Sequence, residues 1–517
     1  MYKIISEFTF KLNCMKKFKL MSLILSVVMG FTLSGCNEED NIPTDGGLTA
    51  SNDILFENGT TIGNGEQEFV FTGNQTLPKG IYHLKGWVYI RDGAQLTIEP
   101  GTIIKGDKET KAALIVERGG KLIAKGTATE PIVFTSEQAA GSRRPGDWGG
   151  LIICGKAKNN QGNDMQIEGG PRSHHGGDND ADNSGILSYV RVEFAGFPFE
   201  KDKEINGITF GSVGSSTQVD HVQVSYSNDD SYEWFGGTVN CKYLVAFNGW
   251  DDEFDTDNGF SGKVQFCLSV RDPRIADVSQ SNGFESDNCA DGATVSPYTT
   301  ATFSNVTFIG PRGRDGFENK SGYITGGSVN PANGSGLGLF QAAMQIRRSS
   351  HLACFNSVAV GYPVGLIIDG EKGNTVETAK AGGLKLQHIY FANMGIVGSD
   401  ANKSYGDTLI TYTGGKPVGN PNVQSYSHTF FESQAGNEVY DTAAELKLSD
   451  GTTTRIGVEY LPVSDSPLLG KASFSDALLN SGFDKVTYIG AFSGIADTWL
   501  NHWTNFDPQH TDYSELK

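Results

Sequence analysis

Four short segments of this chain align residue for residue, and their spacing leaves few folds open. They are Asp230-Ser231-Tyr232-Glu233-Trp234-Phe235, Asp252-Glu253-Phe254-Asp255-Thr256-Asp257, Asn282-Gly283-Phe284-Glu285-Ser286-Asp287 and Asp315-Gly316-Phe317-Glu318-Asn319-Lys320, at successive offsets of 22, 30 and 33 residues. Read as columns, Tyr232, Phe254, Phe284 and Phe317 are all aromatic, and Glu233, Asp255, Glu285 and Glu318 are all acidic. Strand side chains alternate between faces, so the aromatic column points inward and the acidic one outward. Apolar runs at 221–226, 242–247 and 265–270 repeat with a period of roughly 22 residues, and the similar run at 189–194 lies one longer interval before them, as a loop inserted into a turn would give. Strand signals of two to five residues continue from about residue 69 to 395, punctuated by Gly, Asp, Asn or Pro. Such strands are too short for a sandwich. They suit a coil that adds a few short strands to long sheets at each turn. The 66 Gly among 517 residues, near 13% against a usual ~7%, fit the frequent turns. The expectation is an all-β, right-handed parallel β-helix (a solenoid) over residues 53–400, with a small mixed capping segment over 401–517.

In that last segment, 441–448 and 475–479 read as short helices with Ser or Asp near their starts. They are expected to cover the open end of the solenoid, with Trp499 and Trp503 packed there and the strands before Trp87 closing the other end.

The N-terminus reads as an address. Lys16, Lys17 and Lys19 precede an apolar run from Leu20 to Leu33, and Leu33-Ser34-Gly35-Cys36 follows. A basic region, a short apolar region and small residues before a cleavage point form a secretory signal, here residues 1–35. The Leu-Ser-Gly-Cys ending resembles the bacterial lipobox, which implies a lipid-modified Cys36 carrying acyl chains such as palmitate, and anchoring rather than spanning. Residues 36–52, opening with Asn37-Glu38-Glu39-Asp40, read as an acidic tether. The expected location is the cell outer membrane, facing the exterior.

Charge narrows the partners. The formal charge is -19; removing residues 1–35 takes away five Lys and one Glu, leaving 36 basic and 59 acidic residues, a net -23. Nothing here neutralises phosphates in bulk, so nucleic acid is excluded as a partner. Cys154, Cys241, Cys267, Cys289 and Cys354 form no CxxC pair and read as small buried hydrophobes.

Stacked carboxylates about 4.8 Å apart repel, and need a cation, basic partners, raised pKa values or solvent. Between Asp229 and Asp257 there are eight acids and one base, Lys242. Calcium, which takes six to eight oxygen ligands from adaptable sites, fits Asp230, Glu233, Asp252, Asp255, Asp257, Glu285 and Asp287; a solvated acidic face fits them as well. Asp178, Asp180 and Asp182 lie in a second loop with alternate acids before Gly185. It is not a helix-loop-helix calcium site, because the twelfth position counted from Asp180 is Arg191. An ordinary Asx-rich turn explains it equally well. Trp234 and Trp250 are candidate stacking platforms for sugar rings, and Lys320 and Arg347 are the nearest bases. No nucleophile elbow or phosphate loop is present.

Several stretches together resemble a family of bacterial secreted and lipid-anchored right-handed β-helix proteins of unestablished activity. They are Gly146-Asp147-Trp148-Gly149-Gly150-Leu151, Asp182-Asn183-Ser184-Gly185 leading into Tyr189-Val190-Arg191-Val192-Glu193, Asp229-Asp230-Ser231-Tyr232-Glu233-Trp234-Phe235, Gly249-Trp250-Asp251-Asp252, Asn282-Gly283-Phe284-Glu285 and Trp503-Thr504-Asn505-Phe506-Asp507-Pro508. The resemblance implies the fold and an extracytoplasmic setting, and carries over no catalytic residue. Three functions remain open: a lipoprotein whose acidic, calcium-binding face binds an extracellular glycan; a polysaccharide lyase or glycoside hydrolase using that face; and a passive adhesion scaffold or accessory subunit of an outer-membrane complex.

Overall fold

The computed structural model describes residues 48–50, 55–167, 171–200, 203–277, 279–318, 339–402 and 405–516. Within them the chain winds as a parallel solenoid. One sheet runs through twelve strands, from Leu48–Ala50 to Ile396–Ser399, and a second holds fifteen, closing on Glu438–Tyr440. In the middle of the molecule each coil adds one short strand to the first sheet and one long strand to the second. The long strands Gln218–Ser225, Asn240–Phe247 and Lys263–Val270 begin 22 and then 23 residues apart, which is the period legible in the sequence.

The first sheet stacks Ile208–Gly211, Tyr232–Phe235, Phe254–Asp257, Phe284–Ser286, Ala342–Ile346 and Val364–Ile368, each parallel to the next. Tyr232, Phe254, Phe284 and Met344 form one in-register inward column. Tyr232 and Phe254 stack at 5.6 Å, and all four side chains are buried. Each removes enough apolar surface from water to contribute on the order of 2 kcal/mol. Beside them Thr256 and Ser286 are also buried, and their hydroxyls bond to each other at 2.8 Å, so these two polar groups satisfy one another along the axis.

The fourth aligned segment is not a rung. Phe317 and Glu318 lie in the insertion between Thr302–Ile309 and Ala342–Ile346, and Met344 and Gln345 take the places expected of them. A loop can resemble a rung without joining the sheet when nothing fixes its length.

Each long strand of the second sheet turns a corner through one residue in the left-handed region. Tyr189, His221, Tyr243, Phe266, Asn305, Asn356 and His388 have φ between 51° and 60°. A non-glycine residue there is disfavoured by roughly 1–2 kcal/mol. Stacking offsets that cost: the rings of Tyr189 and His221 are 4.3 Å apart, His221 and Tyr243 4.5 Å, Tyr243 and Phe266 5.0 Å.

The C-terminal segment does two separate things. The helix Tyr426–Ser433, N-capped by Ser425, sets Phe431 against Phe391 at 4.3 Å and covers the last coil. The pieces expected to be short helices, around 443–446 and 477–479, are 3-10 turns on the flank of the second sheet. Trp503 stands edge-on to Tyr189 and His221, beside the middle coils and away from the open end expected for it. Residues 1–35 and most of the tether over 36–52, with Cys36, lie outside the described residues.

Candidate acidic window on the first sheet

The outward column of the first sheet reads Ile115, Ile152, Thr209, Glu233, Asp255, Glu285, Gln345 and Ile367 in continuous register. The carboxylate stack is therefore three rungs long. On its N-terminal side the same face is apolar and covered, with Tyr89, Ile115, Ile152 and Phe235 packed beneath Ile167 and Ile205. On its C-terminal side Val364, Ile367 and Ile396 lie under Tyr405. The acids thus sit in a window between two covered stretches, roughly 15 Å long at one strand spacing per coil.

A second ladder lines the turn before each short strand. The Asp230 carboxylate accepts the Asp252 backbone N–H at 2.8 Å, the Asp252 carboxylate accepts that of Asn282, and the Asn282 amide oxygen accepts that of Ala342 at 3.0 Å. Asp230, Asp252 and Asn282 were legible as a column, and their role is to tie each coil to its neighbour.

These two ladders converge. Asp230, Glu233 and Asp255 bring carboxylate oxygens within 4.8 Å of one another, as do Asp229, Asp230 and Asp251, so two triads share Asp230. Either group could hold a metal ion. Asp230 and Glu233 are buried, and Asp255 Oδ1 and Asp251 Oδ1 are enclosed with no hydrogen-bond partner. Burial, and then Asp229, Asp252, Asp255 and Asp251, hold the Asp230 carboxyl well above the usual range. Asp255 is raised likewise, by burial and then by Glu285, Asp287, Asp252 and Asp257. Burial pushes Asp252 up to about 6 against the Asn282 N–H and the cations Arg271 and Arg347. Asp257 is pushed up to about 7 by burial and by Asp287. Carboxylates so placed need protons or a cation to compensate them.

Part of the compensation is built in. Arg347 contacts Glu285 and bonds Asp287 at 2.8 Å, and Arg348 reaches the other Asp287 oxygen at 2.7 Å. Arg347 thus neutralises the window's C-terminal rung. Arg271, fully buried, pairs with Glu253 at 2.9 Å behind the turn.

Several expected site residues stand elsewhere. Trp234 and Trp250 are 0% and 1% exposed, so neither offers a ring to a sugar; Trp234 belongs to the core, stacked on Phe210, Tyr232 and Phe260. Asp178, Asp180 and Asp182 do not converge on one point among the described residues. Asp180 pairs with Lys158 at 2.9 Å, which holds its carboxyl low, and Asp182 accepts the Lys156 N–H at 3.0 Å; Asp178 is exposed. The turn reading of that loop accounts for its geometry. Lys320 lies outside the described residues. Three contributors were not expected: Asp229 and Asp251, and Asn206, whose amide donates to Glu233. The Asp doublets at 229–230 and 251–252, one coil apart, were the available signal for the first two.

A family model described as a pectate-lyase-like β-helix domain matches residues 70–438. No curated protein matches the chain in sequence. Among solved structures, the Dettilon tailspike protein shares 10% identity at a TM-score of 0.23, over 72% of this chain. The chain spans 62% of that tailspike's length.

Proposed function

This chain belongs to the pectate-lyase-like β-helix domain family, and from that membership we propose that its acidic window binds an extracellular glycan through a divalent cation. The observation that carries the reading is the pair of largely buried carboxylate triads sharing Asp230, between two apolar stretches of the same face. All the ligands are carboxylate oxygens, the donor set that favours calcium over softer metals. Bound there, a cation would offer open positions to sugar hydroxyls or carboxylates. Asp230, Glu233 and Asp255 would hold it, and Arg347 would keep the neighbouring rung from competing.

A calcium titration after chelator treatment, read by calorimetry and thermal unfolding, tests the first step. A saturable isotherm with a raised Tm supports it. Binding to a panel of acidic and neutral polysaccharides, lost in Asp255→Asn, tests the second. No binding at millimolar calcium would move the reading to a passive scaffold.

A second reading is favoured by Asp257. Burial and the neighbouring Asp287 push its carboxyl up to about 7, a condition that suits a general acid in glycoside hydrolysis. New reducing ends released from any polysaccharide, and abolished by Asp257→Asn, would favour it. The lipobox-like Leu33-Ser34-Gly35-Cys36 supports attachment at the outer membrane through Cys36; metabolic labelling with a fatty acid, lost in Cys36→Ala, tests that part.

A further inference from the structure

Solenoids are held together by contacts between neighbouring coils, so their ends can fray independently. This one carries a device that joins distant coils. Three side-chain amides on the outer face of the second sheet each grip the backbone of one residue in the C-terminal segment by both its N–H and its C=O. Asn356 holds Ser473 at 3.0 and 2.8 Å, Gln265 holds Asp484 at 2.8 and 2.8 Å, and Gln223 holds Asn505 at 2.7 and 2.8 Å. Between the second and third clamps the tail doubles back, its Tyr488 carbonyl accepting from Asn305 at 2.9 Å and its Gly490 N–H donating to the Asn356 carbonyl at 2.8 Å, before it runs on to the earlier coils.

The path ends on the early coils. Arg143 donates to the carbonyls of Pro508 and Thr511 at 2.6 and 2.8 Å and lies 4.7 Å over the Tyr513 ring. Tyr513 packs with Ile81, Ile103 and Val133, and its hydroxyl donates to the buried Glu193 at 2.8 Å. Arg143 and Thr511 are 368 residues apart in sequence. Trp503 seals the middle of the path against the left-handed corner residues Tyr189 and His221.

We propose that residues 473–513 are a clasp that couples both ends of the solenoid, so that the coils open together rather than one by one from the C-terminal side. The clamps grip backbone and not side chains, so the flank recognises an extended segment by its peptide groups. The aromatic corner column and Arg143 fix its register.

Hydrogen exchange on the full native chain tests this directly. The amides of Ser473, Asp484 and Asn505 should exchange with protection within about tenfold of Leu244 and Ala246 in the core, since all of them need the same opening. Exchange at those three amides roughly a thousandfold faster than in the core would show a tail that frays alone, and would overturn the proposal. Gln265→Ala, which removes one clamp together with the Gln265–Asn305 bond, should speed exchange at Asp484 at least about tenfold, as expected for the loss of the two bonds that hold its peptide group. Unchanged exchange at Asp484 in that variant would equally overturn it.

Discussion

Replacing Asp257 by Asn should stabilise the cation-free protein at pH 8. The Asp257 carboxyl moves from an ordinary 3.8 to about 7 on folding. A carboxyl raised in the folded state binds more protons folded than unfolded, so stability falls as the pH rises from about 4 to about 7 and is flat above. At 1.36 kcal/mol per pH unit, ionised Asp257 costs about 4 kcal/mol at pH 8. That is an upper figure, because the side chain keeps partial solvent contact. Asn is close in shape, carries no charge, and retains an oxygen to accept the Asn258 N–H that Asp257 holds at 2.6 Å. The gain should therefore approach about 4 kcal/mol at pH 8 and fall below about 2 kcal/mol at pH 5, where folded Asp257 is already protonated. For a chain of this size that is roughly 4 °C and under 2 °C in Tm. The assay is thermal unfolding of both proteins in chelator at the two pH values. Added calcium should narrow the difference at pH 8 by stabilising the wild type more. An Asp257→Asn variant that is less stable at pH 8, or equally changed at both pH values, would refute the argument that burial and the neighbouring Asp287 hold this carboxyl above its ordinary range.

Three further outcomes are expected. His175 is buried, with its pKa lowered to about 3 by burial, so its protonation favours the unfolded chain; stability should fall as the pH drops from 6.5 toward 3, and His175→Gln should flatten that limb in a pH series of urea midpoints. Arg347→Gln leaves Glu285 and Asp287 without their bridging cation, so the calcium-free protein should lose about 3 kcal/mol at neutral pH while calcium affinity by calorimetry rises; weaker calcium binding would refute the compensating role. Trp234→Ala should cost about 3–5 kcal/mol by urea unfolding yet leave the calcium isotherm unchanged, because the ring is core and not lining.

The inward and outward columns at Tyr232, Phe254 and Phe284 were legible because two periods coincide there: side chains alternate every two residues and coils repeat about every 22. The acids next to them were legible for the same reason. Phe317 and Glu318 misled because a rung is recognised in sequence by its residues, whereas in space it is defined by register, and the insertion before Ala342 carries them off the sheet. Trp234 misled because aromatic residues suit both cores and sugar platforms; its even offset from Tyr232 placed it inward. Asp251 and Asp229 sit on turns, where no alternation predicts direction. The corner residues were illegible, since Tyr, His and Phe are not chosen by the left-handed conformation they adopt here. The grip of Gln223 on Asn505 spans 282 residues, a separation no local pattern reports.

The Asx ladder has a direction. Every bond in it takes its acceptor from the earlier coil and its donor from the later one: Asp230 waits for Asp252, Asp252 for Asn282, and Asn282 for Ala342. A chain that emerges N-terminus first therefore meets, at each turn, a finished docking point rather than an unfinished one. Assembly can follow delivery in order, each newly arrived stretch docking on the one before it, and the distant pairings come only with the tail, when Ser473 reaches Asn356, Asp484 reaches Gln265 and Asn505 reaches Gln223. For a chain made from its N-terminus onward, that order lets the first sheet be built coil by coil as each turn arrives.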